Sequence, residues 1–123
     1  MARSLSSAGG TLAAATLLLA TPPPGPAAPE VRACWVSRFE SPHANPNTAR
    51  DNIDDIMSTL KANNFNTVIF QVRGTADTHY PSPYEPWAST YNWSNPGWDP
   101  LAYVILSAHA AGLECHVYIN THT

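Results

Sequence analysis

Apolar residues recur with two different periods along this chain, and where one period gives way to the other an element ends. Val31 to Phe39 ("VRACWVSRF") reads as a strand, and "ESPHANPNT" after it is turn material rich in Pro and Asn. Thr48 with Asp51 three residues on resembles a helix N-cap pair. Ile53, Ile56, Met57 and Leu60 then recur at helical spacing, with Arg50, Asp54, Asp55 and Lys61 on other faces, so an amphipathic helix is predicted to end near Asn63 or Asn64. Thr67 to Arg73 is apolar and β-branched, a second strand. A loop from Gly74 to Trp98 follows. Asp99-Pro100 is a cap followed by proline at the first helical position. The helix it opens would bury Leu101, Val104, Ile105 and Ala108 and stop at Gly112. Glu114 to Asn120 ("ECHVYIN") is a third strand.

The order is β-α-β-α-β, which implies an α/β fold with a parallel sheet and right-handed crossovers. An open doubly wound sheet and the start of a (β/α)8 TIM barrel both fit, and strand parity separates them. Val68, Phe70 and Val72 share one face of the second strand, as Cys115, Val117 and Ile119 do in the third, and both sets suit a helix layer. The opposite faces carry Ile69, Gln71 and Arg73, and His116, Tyr118 and Asn120, turning polar toward the C-terminal end. A sheet covered by helices on both sides would be apolar on both. A barrel interior that turns polar at its C-terminal mouth is where barrel enzymes place their sites. No phosphate-cradling glycine pattern follows the first strand, which argues against a nucleotide fold. The expectation is therefore the N-terminal β-α-β-α-β portion of a TIM barrel, incomplete.

Composition changes this picture at the N-terminus. Arg3 is the only charge before Glu30, Leu12 to Ala20 is a short apolar run, and "TPPPGPAAP" follows. That order reads as a secretory signal and Pro-rich leader over residues 1–28, with the domain over 29–123 and a secreted, periplasmic or cell-envelope location. The run is shorter than the roughly 20 residues a membrane span takes, so no transmembrane segment is expected after signal removal. Without Arg3, five basic residues stand against nine acidic ones, a balance of about −4 that offers nucleic acid no basic patch. Cys34 and Cys115 fall on the first and third strands. In a 1-2-3 sheet those are two spacings, roughly 9 to 10 Å, apart. A disulfide needs Cα atoms within about 7 Å, so both thiols are expected free and mostly buried.

The chemistry should gather where the second strand ends. The 25-residue loop Gly74–Trp98 holds six of the twelve aromatics and four of the twelve prolines, and a loop that long in a small domain is usually functional. Tyr80, Tyr84, Trp87, Tyr91, Trp93 and Trp98 suit the apolar faces of sugar rings as a cluster, although any one of them is better read as loop packing. Arg73 and Asp77 are candidate partners, either pinning the loop or meeting substrate. Gln71 and Asn120 offer amides that donate and accept, as sugar hydroxyls require. His116 lies deeper and reads as a satisfied core histidine before a substrate contact. Two histidines at positions 116 and 122 do not make a known metal spacing, and neither a metal nor a cofactor is expected. Glycoside hydrolysis uses two carboxylates flanking the scissile bond. Glu40, Asp77 and Glu85 are the acids on the mouth side, and they form no convincing pair.

Three stretches, "RACWVSRFE", "NFNTVIFQVRGTADTHYPSPYEPWA" and "WDPLAYVILSAHAAGLECHVYINT", strongly resemble the glycosyl hydrolase-like 10 family. The residues that carry the resemblance include Arg32, Trp35, Asn66, Gln71, Arg73, Asp77, Tyr80, Glu85, Trp87, Asp99, His109, His116 and Asn120, in order and over almost everything after residue 30. The resemblance implies a secreted or envelope-associated (β/α)8 glycosidase acting on a polysaccharide, such as a bacterial cell-wall glycan. Gln71, Arg73, Asp77, Tyr80, Trp87, His116 and Asn120 are the candidate substrate-binding residues. The resemblance also implies a larger domain, since such barrels run to about 250 residues, with the catalytic carboxylates on strands beyond Thr123. This chain is then expected to be a fragment of a glycoside hydrolase, inactive alone. The alternative is a non-catalytic carbohydrate-binding fragment that keeps the aromatic loop.

Overall fold

The computed structural model describes residues 30–122. The leader expected over residues 1–28 lies outside the described residues. Three strands and two α-helices follow in the order expected: β1 (Ala33–Val36), α1 (Pro46–Ala62), β2 (Thr67–Arg73), α2 (Pro100–Ala110) and β3 (Glu114–Ile119), with a short 3-10 turn at Ser89–Tyr91. The strands form one parallel sheet in the order β1-β2-β3. This is an α/β arrangement, and the barrel expected from parity is larger than the sheet described.

The first helix begins earlier than the Thr48 cap expected from sequence. Asn45 is the N-cap, its side chain accepting from the backbone of Asn47 and Thr48 at 2.9 and 3.4 Å, with Pro46 at the first helical position. Asn-Pro is the stronger start signal, because proline's fixed φ and missing N–H suit that place. Both helices close on a left-handed residue, Asn64 and Gly112. Phe65 N–H then donates to the Leu60 carbonyl, and Leu113 N–H to that of Ala108, which satisfies carbonyls the helix ends leave open.

One face of the sheet is a finished core. Val68, Phe70 and Val72 of β2 pack with Val36, with Ile53, Met57 and Leu60 of α1, and with Val104 and Ala108 of α2. The stripe that α2 buries is Pro100, Val104 and Ala108; Leu101 is half-buried and Ile105 stands partly exposed on its flank. Cys34 and Cys115 both pair with Val68, from opposite sides, so one strand separates them, and both thiols are free and half-buried. Burial pushes the Cys115 thiol up. On the edge strand β3, Val117 and Ile119 are about half exposed.

The β2–β3 register slips at the C-terminal end. Gln71 pairs with Tyr118, but Arg73 pairs with Ile119, so Val72 is an extra residue. A bulge of this kind re-aims the side chain after it. Without the bulge, the register set by Gln71 and Tyr118 would bring Arg73 opposite Asn120. Among the described residues no helix is long and apolar enough to cross a membrane.

Candidate functional site

The C-terminal ends of β1, β2 and β3 and the loop after β2 come together at one edge of the sheet. The long loop is not structureless. Thr78 bridges to Arg73 on one side and to Trp87 on the other. His79 N–H donates to the Val72 carbonyl at 2.9 Å, and Ala88 N–H to that of Thr78 at 2.9 Å. The loop therefore folds back on the strand that launches it.

Two arginine–carboxylate pairs organise this edge, and neither is the Arg73–Asp77 pair considered from sequence. Arg73 Nε donates to both oxygens of Glu85 at 2.9 and 2.8 Å, and Nη2 donates to Oε1 at 2.6 Å. Its Nη1 donates to the backbone carbonyl of Asn120, while Asn120 N–H donates back to the Arg73 carbonyl at 3.3 Å. One guanidinium thus ties the loop to the end of β3. The hydrogen bond from Arg73 lowers the Glu85 pKa and raises that of the arginine, which keeps this carboxyl ionised.

The second pair is Arg38, just after β1, with Asp77. Arg38 Nη1 lies 3.3 Å from Asp77 Oδ1 and 3.3 Å from the Thr75 hydroxyl, and Thr75 N–H donates to the same carboxylate oxygen at 2.9 Å. Asp77 is buried. Gly74 sits directly beneath, and a Cβ there would overlap the Arg38 guanidinium. The charge pattern of the sequence placed both acids at the mouth. It could not assign partners, because Arg38 comes from another strand, 39 residues before Asp77.

The other expected site residues separate into structural and open positions. Gln71 is buried, and its amide serves backbone: Oε1 accepts from Arg38 N–H at 3.0 Å, and Nε2 donates to the Arg73 carbonyl at 3.4 Å. It positions the loop after β1. Tyr80 is half-buried against the core. Trp87 meets Tyr91 edge to face, with centroids 6.0 Å apart. Trp98 lies under the Arg50 guanidinium at 4.7 Å. Four of the six loop aromatics therefore pack the loop onto itself and onto the domain, while Tyr84 and Trp93 are exposed. His116, read as a core histidine, is exposed, with Nε2 3.1 Å from Glu114 Oε1. It faces a side of the sheet that no described element covers.

Three residues matter here that sequence reading passed over. Trp35 is 64% exposed on that open face and meets Tyr118 edge to face at 4.8 Å, spanning β2. Phe39 is exposed, with the Arg38 guanidinium 4.9 Å from its ring centroid. His79 is buried in the loop, with Nδ1 3.3 Å from the Tyr91 hydroxyl and no partner at Nε2 among the described residues. Burial holds the imidazole below its ordinary pKa, with Asp77 opposing and Arg38 adding to the effect, and burial pushes the Tyr91 hydroxyl up to about 12. The register pairs Trp35 with Ile69, which puts its ring on the side that turns polar. Among the described residues no three His, Cys, Asp or Glu side chains gather as a metal ion would require.

Residues 30–122 match the glycosyl hydrolase-like 10 family. The chain is 30% identical over 100 residues to Glycosyl hydrolase YngK of Bacillus subtilis, a match that takes in 74% of this chain and 20% of that protein. It is 30% identical over 127 aligned positions to Glycosyl hydrolase DigH of Escherichia coli K12, covering 83% of this chain and 29% of that protein. The chain spans less than a third of the length of these curated relatives.

Proposed function

The chain belongs to the glycosyl hydrolase-like 10 family, and on that footing we propose that residues 30–122 form one wall of the sugar cleft of a (β/α)8 glycoside hydrolase. Its substrate is a polysaccharide, with bacterial cell-wall glycan the first to test, and it works outside the cytoplasm. The observation that carries this reading is the gathering of Arg73, Glu85, Asn120 and Arg38–Asp77 with exposed aromatic rings at the C-terminal edge of a parallel sheet. In barrels that edge is the mouth. The apolar leader supports the location.

This wall binds and orients. Glu85 is held ionised by Arg73, which suits it poorly to donate a proton to a leaving group, and Asp77 is gripped by Arg38. Glu40 is exposed and meets the Ser37 hydroxyl at 3.2 Å. The acid and the nucleophile or base of the reaction therefore belong to other strands of the barrel. Trp35 and Tyr118 present an aromatic edge to the barrel interior, and sugar rings can lie on it.

The test is to incubate the full-length protein with isolated cell-wall glycan and with other polysaccharides and to follow new reducing ends. Their release from at least one glycan is expected. Retention on the glycan with no release would establish the second reading, a carbohydrate-binding protein, which the arginine-bound state of both mouth acids favours.

A further inference from the structure

We propose that Arg38, Asp77 and Phe39 form a subsite that takes one neutral pyranose residue, by gripping two adjacent hydroxyl or acetamido substituents. This rests on the polysaccharide reading above and names the class of sugar that this part of the site accepts.

A cleft of about 70 Å³ opens beside the Arg38–Asp77 pair, between the turn after β1 and the 3-10 turn, with the Ser89 and Thr90 side chains on its far wall. The pair is only half used by the protein. Asp77 is 4% exposed, and both hydrogen bonds it accepts fall on Oδ1. Among the described residues nothing donates to Oδ2. Arg38 uses Nη1 alone, leaving Nε and Nη2 without acceptors among the described residues. The Ser89 and Thr90 hydroxyls have no side-chain partners among the described residues. Beside them lies the Phe39 ring, 79% exposed and held under the guanidinium.

The unused capacity selects the ligand. A free carboxylate oxygen needs a donor, and the free guanidinium edge needs an acceptor. A single hydroxyl can serve one of them well. Two neighbouring substituents on a sugar ring, one donating to Asp77 and the other accepting from Arg38, serve both at once with charge-assisted bonds. The ring's apolar face then lies on Phe39. The formal charges of the pair cancel. An anionic sugar would meet the free oxygen of Asp77, and a cationic one the guanidinium, so a neutral residue fits best. Gly74 belongs to the device as a positioning residue, because its missing side chain is what lets the guanidinium lie flat at this place.

The test is calorimetric titration of the full-length protein with chitotetraose as the neutral probe and tetragalacturonate as the anionic one. Phe39→Ala and Ser89→Ala are the variants, chosen because both residues are exposed and their loss spares the fold; unchanged melting temperatures check this. Chitotetraose is expected to bind, more tightly than tetragalacturonate, and about tenfold more weakly to Phe39→Ala. Equal binding of chitotetraose by the wild type and both variants would overturn the subsite while leaving the polysaccharide reading intact. Tighter binding of tetragalacturonate would overturn the neutral class. Binding of neither probe, together with no release of reducing ends from any glycan, would remove both readings.

Discussion

The two faces of the sheet were built from strands of the same parity logic, yet they ended in different states. On the helix side Val68, Phe70 and Val72 are almost wholly buried beneath α1 and α2. On the other side Trp35 and His116 are exposed, and Tyr118 and Ile69 are half-buried. The difference does not lie in hydrophobicity alone, since a tryptophan stands exposed on the open face. It lies in what covers each face. The helix side also shows this within itself: Val117 and Ile119 continue the apolar row onto the edge strand β3, and there they are about half exposed. Apolar pattern marks a surface for burial, and a neighbour must arrive to complete it.

This comparison can be broken most directly by truncating one residue on each face. Met57→Ala, at a side chain 1% exposed, is expected to cost about 3 kcal/mol. Trp35→Ala should cost no more than about 1 kcal/mol, most of it the edge contact with Tyr118. Urea midpoints with unchanged slopes would report both, and equal losses would show that the open face is in fact covered.

A sharper form compares polar residues. Gln71→Leu strands the Arg38 N–H, while the Arg73 carbonyl keeps the Asn120 N–H, and about 2 kcal/mol should be lost. His116→Leu on the open face should leave the urea midpoint where it is.

The buried His79 extends the comparison to pH. Its folded pKa is depressed below 6.5, so between that value and 6.5 the unfolded chain binds more protons than the native one. Stability is full above pH 6.5 and falls as pH drops through the folded pKa, by at most about 1.4 kcal/mol per pH unit. His79→Gln should flatten this limb of a melting-temperature profile. Glu85, also depressed, acts in a lower window, with stability lost below its ordinary 4.5. A profile with no change between pH 6.5 and 5 would mean that His79 is protonated within the fold.

The smallest effect concerns the edge of the closed face. Asn45→Ala removes the cap of α1 and should cost about 1 kcal/mol, whereas Thr48→Ala, inside the first turn, should cost less. The reverse order would return the cap to Thr48.

Much of the fold was legible in local chemistry. The bounds of β2 and the start of α2 follow from a β-branched run and an Asp-Pro start, signals that act over a few residues. The start of α1 was misplaced because two caps competed, and proline at the first helical position decided between them. The Val72 bulge left no mark in the apolar period, since an extra valine looks like any other core residue. The site was less legible. The clustering of acids, amides and aromatics after β2 could be read in advance, together with a family resemblance, but their pairing could not. Arg73 turned to Glu85 and Asp77 to Arg38, and four loop aromatics turned inward, because each choice depends on how the loop folds back and, for Asp77, on an arginine brought in from the turn after β1.

Periodicity, capping and turn residues along the chain were enough to set the element order, the parallel sense of the sheet and the side that faces the helices, because those preferences are paid out within a few residues of one another. Contacts between distant segments decided the rest. They set which guanidinium holds which carboxylate, why Gln71 serves the backbone in place of a ligand, how His79 is kept neutral, and where the Arg38–Asp77 cleft opens beside Phe39. Charge, burial and hydrogen-bond geometry act through space, and a linear order of residues does not state those distances.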